Sequence, residues 1–309
     1  MTLINPPLLT HGGTHEARAF RMMVRDLARG SQGVTEGDDL KVRQLSTPAA
    51  GVRVTDGSAV IRGAAWGQGS YTQYNVGDAV VPVAPTTASP RSDLVCLRVE
   101  DPEYEGTRDP ATDEIGYFHV VSNVSSTATT VPAGMTAIPL ARLDIPANTT
   151  VITDSMVKDV RRIANPRRDR KLYTSFPTSL STIGYSDNKW HNWPSAARWS
   201  VAVPSWATHA AVLVTIAGLR QSASDIFAKM QTVLASRLGQ DTIIDDNQGR
   251  GVRRTTTVIA DNFTLPTAVR GTTQTLYLQT YMYKSETGDL SVDAGTSLVL
   301  DIEFTEGVV

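Results

Sequence analysis

Alternation of inward and outward positions with a period of two constrains this chain more than any other feature. In "TSLVLDIEF", residues 296–304, one face would carry Leu298, Leu300, Ile302 and Phe304, and the other Val299, Asp301 and Glu303. This is the period of a β-strand with one buried face. "RWSVAVP" and "TQTLYLQTYMY", residues 198–204 and 273–283, repeat it, with Tyr277, Tyr281 and Tyr283 outward in the second. The sequence therefore predicts a C-terminal β-sandwich, jelly-roll-like, over residues 187–309.

The preceding part of the chain shows the same period in shorter runs. "GVRVTDGSAVIRG", residues 51–63, places two alternating runs around Asp56-Gly57, which predicts a β-hairpin. Ahead of these runs, residues 15–29 have apolar side chains at helical spacing and predict an amphipathic helix that ends at Gly30. The fold class is thus mainly β: an N-terminal segment, 1–30, with one helix, followed by a small β-domain over 31–165.

"AIPLARLDIPANTTVITDSMVKDVRR", residues 137–162, marks the end of the first β-domain. A strand stops at Pro146, because proline has no N–H to donate to a ladder. Thr153 or Asp154 would then cap a short helix, whose apolar side would carry Met156, Val157 and Val160. We expect this short helix to close the domain.

Residues 166–186 contain frequent Pro, Ser and Thr without apolar periodicity, so they are predicted to form a linker. The basic residues in it, Arg167, Arg168, Arg170 and Lys171, are interpreted as a solvated hinge. Aromatic residues are not interleaved with them, and the net charge of the chain is −2. Both features argue against a nucleic-acid partner.

One segment fits two periods. "DIFAKMQTVLASRLG", residues 225–239, has apolar residues at helical spacing and also alternates like a strand. Because its neighbours are strands, the strand is the prediction we adopt.

Residues that carry catalytic or metal chemistry form no known motif. The chain has one cysteine, Cys96, on an apolar strand, which predicts a small buried side chain and excludes an intrachain disulfide. His11 and His15 are separated by glycines and lack a third ligand nearby, so we predict no metal and no other cofactor. Motifs for nucleophilic hydrolases, zinc hydrolases and phosphate-binding loops are missing. The chain is therefore predicted not to be an enzyme.

A glycan hydrolase stays as a less favoured alternative. Such an enzyme needs two carboxylates on either side of the scissile bond. The acids that would have to converge are Asp113, Glu114, Asp245 and Asp246.

Aromatic residues suggest a binding site instead. Four of the five tryptophans lie in "KWHNWPSAARWSVAVPSW", residues 189–206. A flat ring suits the apolar face of a sugar, and neighbouring polar groups suit its hydroxyls. The carbohydrate-binding candidates are Tyr185, Asp187, Trp190, His191, Asn192 and Trp193, with Trp190 and Trp193 as the stacking platform. Trp199 is in phase with its strand and is predicted to lie in the core. For most of these rings, the alternative to sugar binding is burial in the sandwich core or in a subunit interface.

The longest apolar run, residues 210–219, is about half the length that spans a bilayer. The N-terminal residues lack the basic and apolar regions of a signal peptide. We therefore predict no membrane insertion and synthesis in the cytoplasm.

Three stretches in the first domain, with two more in the second, carry a family resemblance. The first three run from Pro90 to Val95, from Pro139 to Ala147 and from Ile152 to Arg161; the others are "ARWSVAVPSWATHAAVLVTIAGLR" and "RGTTQTLYLQTY". With them the chain resembles minor tail and baseplate proteins at the tail tip of tailed bacteriophages, especially actinobacteriophages.

The resemblance implies a virion protein of the tail tip, made in the host cytoplasm and released by lysis. It implies a homotrimer whose 31–165 domain attaches to other tail-tip or baseplate proteins. The adhesin-like C-terminal sandwich would then face host cell-surface saccharides. The alternatives are a carbohydrate-binding module without a purely structural role and, less favoured, the cell-wall glycan hydrolase.

Overall fold

The computed structural model describes residues 3–4, 6–184, 188–284 and 287–309. The chain divides into two compact units. Unit 1 comprises Met1–Pro166 together with Val308–Val309, and unit 2 comprises Arg167–Gly307. Antiparallel strands dominate both units, as the alternation predicts. Among the described residues, no helix combines the length and the apolar character needed to cross a bilayer.

Unit 1 contains one α-helix and ten strands within the described residues. The helix is α1 (Ala17–Leu27), and the strands are β1 (Gly33–Val34), β2 (Val42–Gln44), β3 (Gly51–Val54), β4 (Gly57–Arg62), β5 (Ser70–Asn75), β6 (Ala79–Pro82), β7 (Arg91–Val99), β8 (Gly116–Val124), β9 (Ala137–Ile145) and β10 (Val157–Asp159). They form three sheets, with strand orders β1-β4-β5, β2-β3-β6 and β10-β9-β7-β8.

One apolar core joins the three sheets of unit 1. Val52, Ile61 and Leu140, one from each sheet, are fully buried in it. Cys96 lies on the other face of β7, in a smaller cluster with Leu94 and Ala137. The predicted burial of Cys96 is confirmed, and this burial raises the pKa of its thiol to about 12. A thiol with that pKa is uncharged near neutral pH.

The predicted N-terminal helix is confirmed, with narrower bounds than residues 15–29. Ala19 is its buried residue. Arg21 anchors the helix to the strands, because its Nε donates to the Gln68 carbonyl oxygen at 2.9 Å and its Nη2 to Glu103 Oε2 at 2.6 Å. A third contact, 3.4 Å long, joins Arg21 Nη1 to Asp101 Oδ2.

The predicted hairpin at Asp56-Gly57 is wrong. β3 and β4 flank this dipeptide, but β3 pairs with β2 and β6, whereas β4 pairs with β1 and β5. A type I′ turn needs positive φ at both central residues, and only Gly57 has it, at +143°. A Cβ on Gly57 would lie 2.6 Å from the Asp39 Cβ, so the glycine permits close packing of Asp39.

The short helix predicted after Thr153 is also wrong. A single 3-10 turn, Asp154–Met156, leads directly into β10. β10 pairs antiparallel with β9, with Val157 opposite Leu143 and Asp159 opposite Ala141. An isolated helix this short has a costly nucleus, whereas the free edge of β9 offers a ladder of hydrogen bonds. Strand pairing therefore decides the conformation.

Unit 2 contains twelve strands within the described residues. They are β11 (Arg168–Ser175), β12 (Ser181–Ile183), β13 (Trp190–His191), β14 (Arg198–Ala202), β15 (His209–Ser222), β16 (Ile226–Leu234), β17 (Arg237–Leu238), β18 (Thr242–Asp246), β19 (Arg253–Thr264), β20 (Thr273–Met282), β21 (Asp289–Val292) and β22 (Ser297–Thr305). The prediction of a strand over 225–239 is confirmed by β16, which β17 follows.

These strands form two sheets that share one core. In the β15 sheet, β15 lies between β19 and the strands β21 and β22, which pair with β12 and β11. In the β20 sheet, β20 and β16 pair centrally, with β13 and β14 beside β20 and with β17 and β18 beside β16. Inward side chains of both sheets, such as Val214, Ile302, Met230 and Leu278, belong to the same buried cluster. The predicted β-sandwich is confirmed.

The predicted linker, 166–186, is corrected by β11. Residues 168–175 pair with β22 along their full length, from Arg168 opposite Thr305 to Ser175 opposite Leu298. The arginines predicted to be a solvated hinge are cross-strand partners of acids, as in the pair of Arg170 with Asp301. Because β11 is an edge strand with few apolar residues, its sequence shows no apolar period.

Candidate functional site

The outer face of the β20 sheet is rich in aromatic side chains. Along β20, Leu276, Leu278 and Met282 enter the core, so the residues between them point outward. Those outward residues include Tyr277, Gln279 and Tyr281, and Tyr283 follows just past the end of the strand. All four are half-buried.

Rings from three strands touch one another on this face. Trp190 on β13 lies directly across from Tyr281, with ring centroids 5.6 Å apart. Tyr283 is 4.9 Å from Tyr281, and Phe227 of β16 is 4.7 Å from Tyr283. We call these four residues, Trp190, Tyr281, Tyr283 and Phe227, the aromatic surface. Two edge-to-face contacts and one tilted contact join the rings, and part of each ring stays exposed.

A row of amides runs beside the aromatic surface. Gln231 Nε2 donates to Gln279 Oε1 at 2.9 Å, and Gln279 Nε2 donates to Asn192 Oδ1 at 3.0 Å. We call these three residues the amide row. Gln231 is buried and Asn192 is exposed, so the row runs from a buried position of the sheet to a solvent-exposed one. Amide groups both donate and accept, which suits hydroxyl ligands.

Charged groups lie at both ends of this face. Lys229 Nζ lies 5.6 Å from the Tyr283 ring centroid and 3.0 Å from Asp241 Oδ2. Its hydrogen bonds to Tyr283 and to Asp241 raise the pKa of the Lys229 ammonium. At the other end, the Arg198 guanidinium lies over the Tyr277 ring, 5.2 Å from its centroid.

The structure places the predicted site residues in different environments. Trp190 and Asn192 lie on the outer face just described. His191 is opposite Thr280, whose side chain is fully buried, so alternation puts His191 on the other side of β13 from Trp190. Tyr185 and Asp187 lie outside the described residues.

Trp190 and Trp193 were predicted to form a stacking platform, and the prediction is wrong for Trp193. Trp193 is only 7% exposed, packs in the sandwich core and donates from Nε1 to Ser181 Oγ at 3.1 Å. It has no open face for a sugar. Trp199, predicted to be core, is confirmed there at 5% exposure.

Trp190 therefore forms its platform with residues that the sequence did not select as ligands. Tyr281, Tyr283 and Phe227 lie some 40 or 90 positions away along the chain and arrive through strand pairing. A signal did exist, because "YLQTYMY" repeats tyrosine on the solvent side of a strand. Repeated tyrosines on the outer face of a strand indicate a binding surface, because aromatic residues are enriched at interfaces relative to the rest of the protein surface.

Within neither unit do the four acids named as hydrolase candidates converge on one site. Asp113 and Glu114 belong to unit 1, and Asp245 and Asp246 to unit 2. On β18, Asp245 lies opposite Phe227 and Asp246 opposite Ile226, so the two acids point to different faces. Asp246 is bound by Arg253. Among the described residues, no three His, Cys, Asp or Glu side chains converge as metal ligands.

Solved structures resemble this chain only at low similarity. No protein-family model matches the sequence, and no curated protein sequence matches it. A structure of infectious bursal disease virus, Gx strain, is similar with a TM-score of 0.28 and 10% identity, covering 91% of this chain and 72% of that chain. The VP2 subviral particle of that virus gives 0.27 and 10%, covering 90% and 74%.

The insecticidal delta-endotoxin Cry8Ea1 from Bacillus thuringiensis gives a TM-score of 0.21 and 8% identity, covering 90% of this chain and 55% of that chain. These likenesses carry no argument about function.

Proposed function

We propose that this chain is a structural virion protein of a phage tail tip or baseplate. In this proposal unit 1 docks on other tail-tip proteins, and unit 2 presents the aromatic surface to host cell-surface saccharide. The protein binds without chemical conversion of its ligand and forms a homotrimer. The observation that carries the binding role is the contact of four rings from three strands on one outer face.

The residues behind the family resemblance support a structural role for unit 1. Each of its three stretches contains an arginine and an aspartate two positions apart that form an ion pair. The pairs are Arg91 with Asp93, Arg142 with Asp144, and Arg161 with Asp159. Removing one member of such a pair would leave the other charge without its partner and would destabilise the fold.

The pair of Arg161 and Asp159 shows how far one of these stretches reaches. Arg161 is 4% exposed. Its Nη1 donates to the Asp39 carbonyl oxygen at 2.5 Å, and its Nη2 to the main-chain oxygen of Val309 at 3.1 Å. Residues far apart in the chain therefore meet at one guanidinium, which makes the stretch a fixed support within unit 1.

The aromatic surface supports saccharide as the ligand of unit 2. Exposed ring faces stack on the apolar C–H face of a pyranose, and the amide row beside them offers donors and acceptors for hydroxyls. A protein partner would also bury aromatic rings, but the hydrogen-bonded amides fit a hydroxyl-rich ligand better than an apolar partner surface.

The location is tested by labelling. Antibody against unit 2, marked with gold, should decorate intact particles at the tail tip in electron micrographs. Label on the capsid, or on no part of the particle although the protein is detected in infected cells, would contradict the proposal.

The binding role is tested on an array of bacterial surface polysaccharides that includes actinobacterial ones. The purified chain should be retained on at least one polysaccharide, with no new reducing ends released during incubation. Retention on none of them, or release of reducing ends, would contradict the proposal. Light scattering on the same sample should give three times the mass of one chain, and a monomer at high concentration would contradict the trimer.

A further inference from the structure

The ring surface continues beyond the aromatic surface along β20. Tyr277, Gln279 and Tyr281 occupy successive outward positions of this strand. Four residues of antiparallel strand span about 14 Å, so the Tyr277 ring lies well apart from the Tyr281 ring, with an amide between them. That separation exceeds the width of a single pyranose ring. One monosaccharide could therefore contact only one end.

The two ends differ in charge. At the Tyr281 end, the cation of Lys229 already has Asp241 as its partner. At the Tyr277 end, Arg198 is exposed, lies over the tyrosine ring, and forms no ion pair within the described residues. Guanidinium groups bind carboxylates and phosphates through paired hydrogen bonds. An exposed arginine next to a ring fits a sugar that carries a negative group.

Resting on the proposed function, we infer that the ligand is an acidic oligosaccharide that extends along β20. One ring stacks at Trp190 and Tyr281, intervening hydroxyls meet the amide row, and a second ring stacks at Tyr277. The carboxylate or phosphate of that second ring binds Arg198. The site thus selects glycans by chain length and by negative charge.

The test starts from a polysaccharide that the chain retains on the array. It is cleaved to oligomers of one to six sugars, and the dissociation constant of each is measured by calorimetry. We expect the affinity to rise by about tenfold or more once an oligomer is long enough to contact both Tyr281 and Tyr277, because the second stacked ring and the ion pair with Arg198 both contribute. Equal affinity for oligomers of two and of six sugars would overturn the inference.

Charge is tested on the longest oligomer, compared with the same oligomer after carboxyl reduction or phosphate removal. The wild-type chain should lose about threefold to fivefold in affinity, as expected for an exposed ion pair. Arg198→Gln should show the same loss with the native oligomer and no further loss with the neutral one. Arg168→Gln, an exposed arginine on the β15 sheet, serves as the control and should behave like wild type.

The outcomes separate the two proposals. Retention of no polysaccharide contradicts the proposed function. Retention of a polymer that is neutral, or a loss on charge removal that is the same in Arg198→Gln as in wild type, leaves the saccharide function in place and overturns the acidic ligand.

Discussion

The indole of Trp190 meets the phenol ring of Tyr281 edge to face, with centroids 5.6 Å apart and ring planes at 63°. The two residues are directly opposite each other on neighbouring strands, so backbone pairing fixes the distance between their rings. Trp193, three residues further on, is in the core instead. One short segment therefore supplies a surface tryptophan and a structural one, and the two should respond differently to substitution.

Trp190→Ala should weaken polysaccharide binding by about threefold to tenfold, since a stacked ring contributes about 0.5–1.5 kcal/mol. The thermal unfolding of unit 2 should stay close to that of wild type, because the Trp190 side chain is only half-buried. Calorimetric titration measures the binding. Trp66→Ala, which removes an exposed tryptophan from unit 1, is the matched control and should bind like wild type. Unchanged binding by Trp190→Ala would remove this ring from the site.

Trp193→Ala should lower the free energy of unfolding of unit 2 by about 3–5 kcal/mol, because it empties a large volume in the core. It also leaves Ser181 Oγ without the indole N–H donor. Denaturant unfolding measured by circular dichroism gives the value, and Trp193→Phe should recover part of the loss. A Trp193→Ala protein as stable as wild type would mean that this ring does not pack in the core.

Arg161→Ala should destabilise unit 1 by about 2–3 kcal/mol, because Asp159 and two main-chain oxygens lose their donor. Cys96 is a convenient reporter, since it is the single cysteine and is fully buried in unit 1. Its alkylation by iodoacetamide should become about 30- to 150-fold faster when reclosing is faster than alkylation, because the rate then follows the population of the open form. The neighbouring variant Arg162→Ala removes an exposed side chain and should leave the rate unchanged. Equal rates in the two variants would contradict the structural role of Arg161.

Acid should weaken unit 1 through Asp144. The Arg142 guanidinium binds both carboxylate oxygens and Ser92 donates to one of them, which holds the pKa of Asp144 below its usual value although burial opposes the shift. Since the folded pKa is lower than the unfolded one, the pair stabilises unit 1 above about pH 4, and this stability is lost as the pH falls through the lowered pKa.

Asp144→Asn tests this pH dependence. It should be less stable than wild type at pH 7, and the difference should shrink as the pH falls through the lowered pKa of Asp144. Denaturant unfolding of each protein at each pH, followed by circular dichroism, measures the difference. A gap between the two proteins that is as large at pH 2 as at pH 7 would contradict the assignment.

Alternation in the sequence predicted the sandwich and the buried faces of β20 and β22, because burial against a core imposes the period directly. It failed where the stabilising contact is distant. β11 is held by its ladder to β22, more than 120 positions away, and β10 by the edge of β9. Asp56-Gly57 looked like a local hairpin, yet each flanking strand finds its partners elsewhere.

The candidate binding surface could be predicted only in part, because it too depends on strand pairing between distant residues. Trp190 and Asn192 were identified by residue type alone, and no local pattern joins them to Gln279 or Phe227. Trp193 shares the segment and the chemistry of Trp190, but the inner position of its ring is fixed by tertiary packing. Residue type predicted the kind of chemistry, and strand pairing decided which side chains share a face.

Hydroxyl-radical footprinting of the chain, with and without the retained polysaccharide, gives the most direct result. Oxidation of Trp190, Tyr281 and Tyr283 should slow when the glycan binds, while Trp66 and Tyr74, both exposed in unit 1, should react at unchanged rates. Protection confined to unit 1, or unchanged oxidation of all three outer-face rings under saturating glycan, would contradict binding by the β20 sheet.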